Sequence, residues 1–120
     1  MADQKFGLAG VMGWPVSHSR SPTMHNHWIR HHGLTGAYVL LPVEPQYLPD
    51  AMRGLRALGF AGCNVTIPHK VEAMALVDRV EPMARRIGAI NTVVVKPDGS
   101  LTGSNNDGFG YIQSLLDAQP

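Results

Sequence analysis

Gly62-Cys63-Asn64-Val65-Thr66-Ile67-Pro68-His69-Lys70 is the stretch on which the reading of the whole chain turns. Up to Ile67, apolar and polar residues alternate with the period of a half-buried strand. Pro68 has no backbone donor and a fixed φ suited to a first helical turn, so a helix is expected to open there with Lys70 inside it. Asn64 and Thr66 are two apart and point to the same side of an extended segment. Three polar side chains therefore gather at the carboxyl end of a strand, where open α/β sheets bind small ligands. A plainer reading fits the same residues. Asn and Thr before a proline form caps and turns, and a lysine in a first helical turn is ordinarily a solvated charge. The stretch by itself leaves both readings open.

Working outward, Phe6 to Met12 is a short apolar run that suits a buried first strand, ended by Gly13-Trp14-Pro15. A polar loop containing Ser17 and Ser19 leads to Ser21-Pro22, a cap and first-turn pair that predicts a helix to His32, stopped by Gly33. Gly36 to Val43 is rich in strand formers, and Pro45 to Leu58 carries Leu48, Met52, Leu55 and Leu58 at helical spacing. The central strand then runs from about Ala61 to Ile67, followed by short helices over Pro68–Val77 and Glu81–Ile87, the second ended by Gly88. The order β-α-β-α-β-α is that of a parallel sheet with right-handed crossovers. Beyond it the pattern changes. Ala89–Lys96 and Ser100–Ser104 are strands joined by the turn Pro97-Asp98-Gly99, and Phe109–Asp117 reads as a last helix. The expected fold is α/β and three-layered: a mostly parallel sheet with helices on both faces and an antiparallel hairpin near the C-terminal part.

At 120 residues and 13.0 kDa, with 44% hydrophobic and 16% charged residues, the chain fits one globular domain over residues 1–120. A net charge of +1 with scattered basic residues gives no reason to expect nucleic acid or an anionic membrane as partner. No apolar run approaches a membrane span and no signal peptide opens the chain, so a cytoplasmic location is expected. The single cysteine, Cys63, cannot form an internal disulfide and sits in the apolar lead-in to Asn64, as a small core residue would.

Gly7, Gly10 and Gly13 are spaced by threes and do not make the G-x-G-x-x-G fingerprint, so no dinucleotide site is expected on this chain. His27 and His31 have the i, i+4 spacing of paired metal ligands. No H-E-x-x-H glutamate accompanies them, and the expected metal is none. Asp107, between Asn106 and Gly108, fits either a helix cap or a chemical role beside Lys70. A carboxylate next to an ammonium orients it and tunes its proton affinity, which suits proton transfer to a substrate hydroxyl. Asn91 opens a strand and could hydrogen-bond a polyol, or simply shape a turn.

At these residues the sequence resembles the shikimate dehydrogenase family, in its N-terminal substrate-binding domain. Gly13-Trp14-Pro15 with Ser17-His18-Ser19-Arg20-Ser21-Pro22 and His25-Asn26 is similar to the family's first signature, and Asn64 to Lys70 to its second. Gly88-Ala89-Ile90-Asn91-Thr92 and Gly103-Ser104-Asn105-Asn106-Asp107-Gly108 are similar to the third and fourth. The resemblance implies reversible reduction of 3-dehydroshikimate to shikimate with NADP(H), a step of aromatic amino-acid biosynthesis. It implies that Ser17 and Ser19 hold the substrate carboxylate, that Asn64, Thr66, Asn91 and Asp107 hold ring hydroxyls, and that Lys70 with Asp107 forms the catalytic pair. Asn106 stands where the family usually has threonine, which would alter one substrate contact.

The family also has a C-terminal Rossmann domain for NADP, and a final segment that completes the substrate pocket. Neither is expected within these 120 residues, so the isolated chain is expected to turn nothing over. A quinate/shikimate dehydrogenase domain and a non-catalytic module binding a carboxylated polyol remain the alternatives. Oligomeric state is left open.

Overall fold

The computed structural model describes residues 7–16, 23, 26, 27, 30 and 36–105. Its strands are β1 (Gly7–Gly13), β2 (Gly36–Pro42), β3 (Gly62–Val65), β4 (Arg79–Val80), β5 (Thr92–Val95) and β6 (Leu101–Ser104). A 3₁₀ turn at Pro45–Tyr47 runs into α1 (Leu48–Ala57), a second covers Glu72–Leu76, and α2 spans Pro82–Ile87. Strand order is β2-β1-β3-β5-β6-β4. β1 pairs in parallel with both β2 and β3, and β4 with β6, while β5 runs antiparallel to both its neighbours. The sheet is thus the expected one, mostly parallel with an antiparallel hairpin in its second half.

Side chains alternate across a strand, so β1 serves two cores. On one face Met12 joins Cys63, Val65, Val93 and Leu101, covered by Leu48, Met52 and Leu55 of α1 and by Phe60. On the other, Val11 packs with Val16 and Tyr38. The apolar spacing of α1 explains the first face, because Leu48, Met52 and Leu55 fall on one stripe and all are buried. Leu58 does not join them. It is the C-cap of α1, just past the end of the stripe, and is 71% exposed.

The hairpin turns as expected: Gly99 has φ 88°, and Lys96 N–H donates to Ser100 O at 2.8 Å. Asp98 accepts from the Ser100 hydroxyl at 2.7 Å and from its amide at 2.9 Å, and these bonds hold its carboxyl below the usual carboxylate range. Arg56 of α1 donates to Gly99 O at 2.8 Å, tying the helix to the turn.

Two further expectations are corrected, and one strand was not expected at all. The helix expected from Pro68 to Val77 is a turn followed by the short 3₁₀ segment, so Lys70 is not in a helical first turn. The reason lies in His69. Its ring is buried and Nε2 lies 2.7 Å from Val43 O, while its amide donates to Thr66 O at 2.9 Å. A residue tied sideways to the end of β2 in this way fixes a turn instead of a helical start. The strand expected from Ala89 begins only at Thr92, because Ile90 N–H is taken by Lys70 O and Asn91 N–H by Ser104 O. β4 went unforeseen, since two residues carry no period; its edge is fixed by Leu101 N–H donating to Asp78 Oδ2 at 2.7 Å. The helix expected at Phe109–Asp117 lies outside the described residues. Of the helix expected over Pro22–His32, Thr23, Asn26, His27 and Arg30 are described, and all four are helical.

Candidate functional site

The polar residues of the second sequence signature meet those of the third where β3 ends and β5 begins. Asn64 pairs in register with Val11 on one side and Thr92 on the other, and Thr92 in turn with Ser104. These residues therefore share one face, opposite the core that holds Cys63 and Val65. Along that face a hydrogen-bonded row crosses the sheet. The Tyr38 hydroxyl donates to Asn64 Oδ1, and Asn64 Nδ2 lies 3.4 Å from Asn91 O and 3.5 Å from Thr92 Oγ1. Thr92 Oγ1 donates to Asn91 Oδ1 at 2.9 Å. Asn91 Nδ2 reaches Asn105 Oδ1 at 3.3 Å, and Asn105 Nδ2 reaches Ala89 O at 3.1 Å.

Backbone bonds bring Thr66 and Lys70 to the same corner. Thr66 N–H donates to Met12 O at 2.9 Å, Val65 N–H to Asn91 O at 2.8 Å, and Ile90 N–H to Lys70 O at 3.0 Å. Lys70 is half-buried. No hydrogen bond or ion pair joins its ammonium, or the Thr66 hydroxyl, to another described residue. Gly13 is needed at this corner for close approach, because a Cβ there would come within 2.4 Å of Thr66 Cγ2 and 3.1 Å of Ile67 O.

Four of the sequence-derived site residues, Asn64, Thr66, Lys70 and Asn91, are thus stitched to one end of the sheet. Ser17, Ser19 and Asp107 lie outside the described residues. Sequence reasoning missed Tyr38, Thr92 and Asn105 as members of the row, and His69 as the anchor of the lysine turn. Tyr38 read only as a strand former, and nothing in a single sequence shows that its hydroxyl crosses β1 to Asn64. Asn26 left a faint signal: it sits in a helix, which asparagine disfavours, and its amide holds the backbone N–H and C=O of Tyr38 at 2.8 and 2.9 Å. That closes part of the open edge of β2.

A cavity of about 420 Å³ lies elsewhere, between α1 and the ends of β1 and β2, lined by Met12, Leu41, Val43, Tyr47, Leu55 and Phe60 among others. None of the four polar residues lines it. No helix among the described residues is long and apolar enough to cross a membrane.

Residues 11–93 match the shikimate dehydrogenase substrate binding domain. The chain belongs to that family. It is 53% identical to the NADP(+) shikimate dehydrogenase of Paramagnetospirillum magneticum over 97% of its own length and 42% of the relative's. The sheet is similar to that of shikimate dehydrogenase from Aquifex aeolicus, with a TM-score of 0.83 and 41% identity over 100% of this chain and 45% of that one. It is similar also to shikimate 5-dehydrogenase from Thermus thermophilus in complex with NADP(H) and shikimate, with a TM-score of 0.82 and 38% identity over 93% of this chain and 42% of that one. The chain spans under half the length of each of these relatives. All four shikimate dehydrogenase signatures read from the sequence begin or end on residues of this one sheet edge or the loops leaving it.

Proposed function

We propose that this chain is the substrate-binding and catalytic domain of an NADP-dependent shikimate dehydrogenase, which reversibly reduces 3-dehydroshikimate to shikimate. The observation that carries the reading is the corner at the ends of β1 and β3, where Asn64, Thr66, Asn91 and Lys70 converge on backbone bonds to one another's neighbours. The Thermus relative, 38% identical and solved with shikimate, supports the substrate class. A ring bearing one carboxylate and several hydroxyls calls for many short donors and acceptors, and Asn and Thr supply them with little rotamer entropy to lose. In this reading Ser17 and Ser19 bind the carboxylate, Asn64, Thr66 and Asn91 bind hydroxyls, and Asp107 pairs with Lys70.

The described residues at the end of β1 do not fit the dinucleotide itself. At the end of β1, the place for a phosphate-binding turn, Trp14 N–H is already committed to Ile67 O at 3.0 Å and the space over Gly13 is filled by the Thr66 methyl. In this reading the nicotinamide, which supplies the hydride, is held by polypeptide other than these residues, and the 120 residues alone turn nothing over. What this chain contributes is charge and a proton. Reduction of a ketone develops alkoxide charge on its oxygen, and an ammonium oriented by a carboxylate beside it is suited to stabilise that charge and then protonate it. In the reverse direction the same amine accepts the hydroxyl proton.

The test is Lys70→Ala in the complete enzyme carrying these residues, assayed with shikimate and NADP. The expected result is a fall in kcat of about 10²–10⁴-fold with KM changed little, the loss of a group that acts in the transition state. Undiminished turnover would refute the reading and favour a module that only binds.

A further inference from the structure

We infer that Tyr38 is a positioning residue that fixes Asn64 as a hydrogen-bond donor toward the ligand; the inference rests on the reading that this corner binds a polyhydroxylated substrate. An asparagine amide can present either its oxygen or its NH₂ in a given direction, and the two choices recognise opposite partners. Here the neighbours decide. Asn91 O is a carbonyl and can only accept, so the side of Asn64 that faces it at 3.4 Å must be the NH₂. The oxygen then faces Tyr38, whose hydroxyl can donate to it. The arrangement is self-consistent in one orientation only, because a flipped amide would set its oxygen against the Asn91 carbonyl.

Tyr38 is well placed to impose that choice. It is 3% exposed, its ring packs with Val11 and Val16, and its backbone is gripped on both polar groups by the Asn26 amide. It therefore cannot swing away at low cost. Among the described residues, the NH₂ of Asn64 by contrast makes only long contacts, 3.4 and 3.5 Å, to Asn91 O and Thr92 Oγ1. Contacts of that length are weak and can be exchanged for a shorter one to a ligand oxygen. Tyr38 thus holds the acceptor end of Asn64 and leaves the donor end for substrate, from the far side of β1 and without touching the ligand.

The experiment compares the complete enzyme with its Tyr38→Phe, Asn64→Ala and Tyr38→Phe/Asn64→Ala variants in shikimate oxidation with NADP. Tyr38→Phe keeps the ring and removes the hydroxyl. It is expected to raise KM for shikimate about 3- to 10-fold with kcat within about twofold, the size of one hydrogen bond lost in binding. In the Asn64→Ala background the same change is expected to add nothing, since the residue through which Tyr38 acts is gone. An unchanged KM in Tyr38→Phe, or an equal increase in both backgrounds, overturns the inference. Asn64→Asp supplies a second measurement that leaves Tyr38 in place. A carboxylate has no donor and sets negative charge against Asn91 O, so its KM is expected to exceed that of Asn64→Ala. A KM equal to that of the unsubstituted enzyme would overturn the donor assignment. Failure of the unsubstituted enzyme to oxidise shikimate would instead overturn the functional reading beneath it.

Discussion

The two faces of β3 are made by neighbouring residues and do opposite work. Cys63 and Val65 enter a dry core with Met12, Val93 and α1, while Asn64 between them joins a polar row from Tyr38 to Asn105. The apolar face is held by close packing, in which each side chain is surrounded and removal of any one leaves a void. The polar face is held by directional bonds, several of them long, and at Thr66 and Lys70 by backbone bonds, with no partner for either functional group among the described residues. Rigidity on one side of a strand thus makes a loosely bonded polar surface tolerable on the other.

The largest effect expected from breaking this arrangement comes where the two faces share a backbone. Gly62 opens β3 with no side chain, and a Cβ there would lie 2.2 Å from Val93 O of the neighbouring strand. A carbonyl in a strand cannot step aside as a flexible side chain can, so Gly62→Ala forces β3 and β5 apart. That opens the core and pulls Asn64 from Thr92 together. The expected cost is about 3 kcal/mol or more, a large part of the stability of a domain of this size, read as a lowered urea midpoint or loss of soluble protein. A midpoint equal to that of the unsubstituted chain would mean that β3 and β5 are not paired as described.

A smaller effect separates the faces. Val65→Ala removes two buried carbon atoms from the core and is expected to cost about 2 kcal/mol of stability. Thr66→Ala, one residue on, should cost less, about 0.5–1 kcal/mol, because its hydroxyl has no partner among the described residues to lose and only the half-buried methyl beside Gly13 goes with it. It should instead weaken shikimate binding in the complete enzyme, seen as a raised KM. If Thr66→Ala destabilised the fold as much as Val65→Ala, the division of labour along this strand would be wrong.

Much of this division was legible in the sequence. The alternation from Cys63 to Thr66, the helical stripe of Leu48, Met52 and Leu55, and the Pro97-Asp98-Gly99 turn each encode local geometry in residue type, and the structure follows them. What was illegible involves contacts between distant segments. Pro68 fits a helix start by its φ, yet the buried His69 ring bonded to Val43 O turns that segment into something else, and no local pattern announces a partner 26 residues away. Asn64 was legible as a polar residue on the face opposite the core, but the direction in which its amide faces depends on Tyr38, also 26 residues distant, and on Asn91, 27 away. Residue type predicts what a group can do; which of its options it takes is settled by neighbours that only folding supplies.

The smallest effect at neutral pH, and the one that probes the dry face most cleanly, belongs to Cys63. Burial among apolar side chains penalises the thiolate and pushes the Cys63 pKa up to about 12. In the unfolded chain the thiol ionises at its ordinary value of about 8.5. Between those limits the folded state keeps a proton that the unfolded state has released, so stability falls as pH rises from about 9 toward 12 and is untouched below that window. Cys63→Ala lacks the titrating group. The difference in unfolding free energy between the two proteins should therefore be constant up to pH 8 and shift in favour of the alanine variant at pH 10, the lysines and tyrosines common to both cancelling. The same burial predicts that native Cys63 resists alkylation at pH 8 while the denatured chain reacts readily, since only the exposed thiolate is nucleophilic. Rapid labelling under native conditions would show that water reaches the core side of β3, and the contrast between its two faces would fail at its driest point.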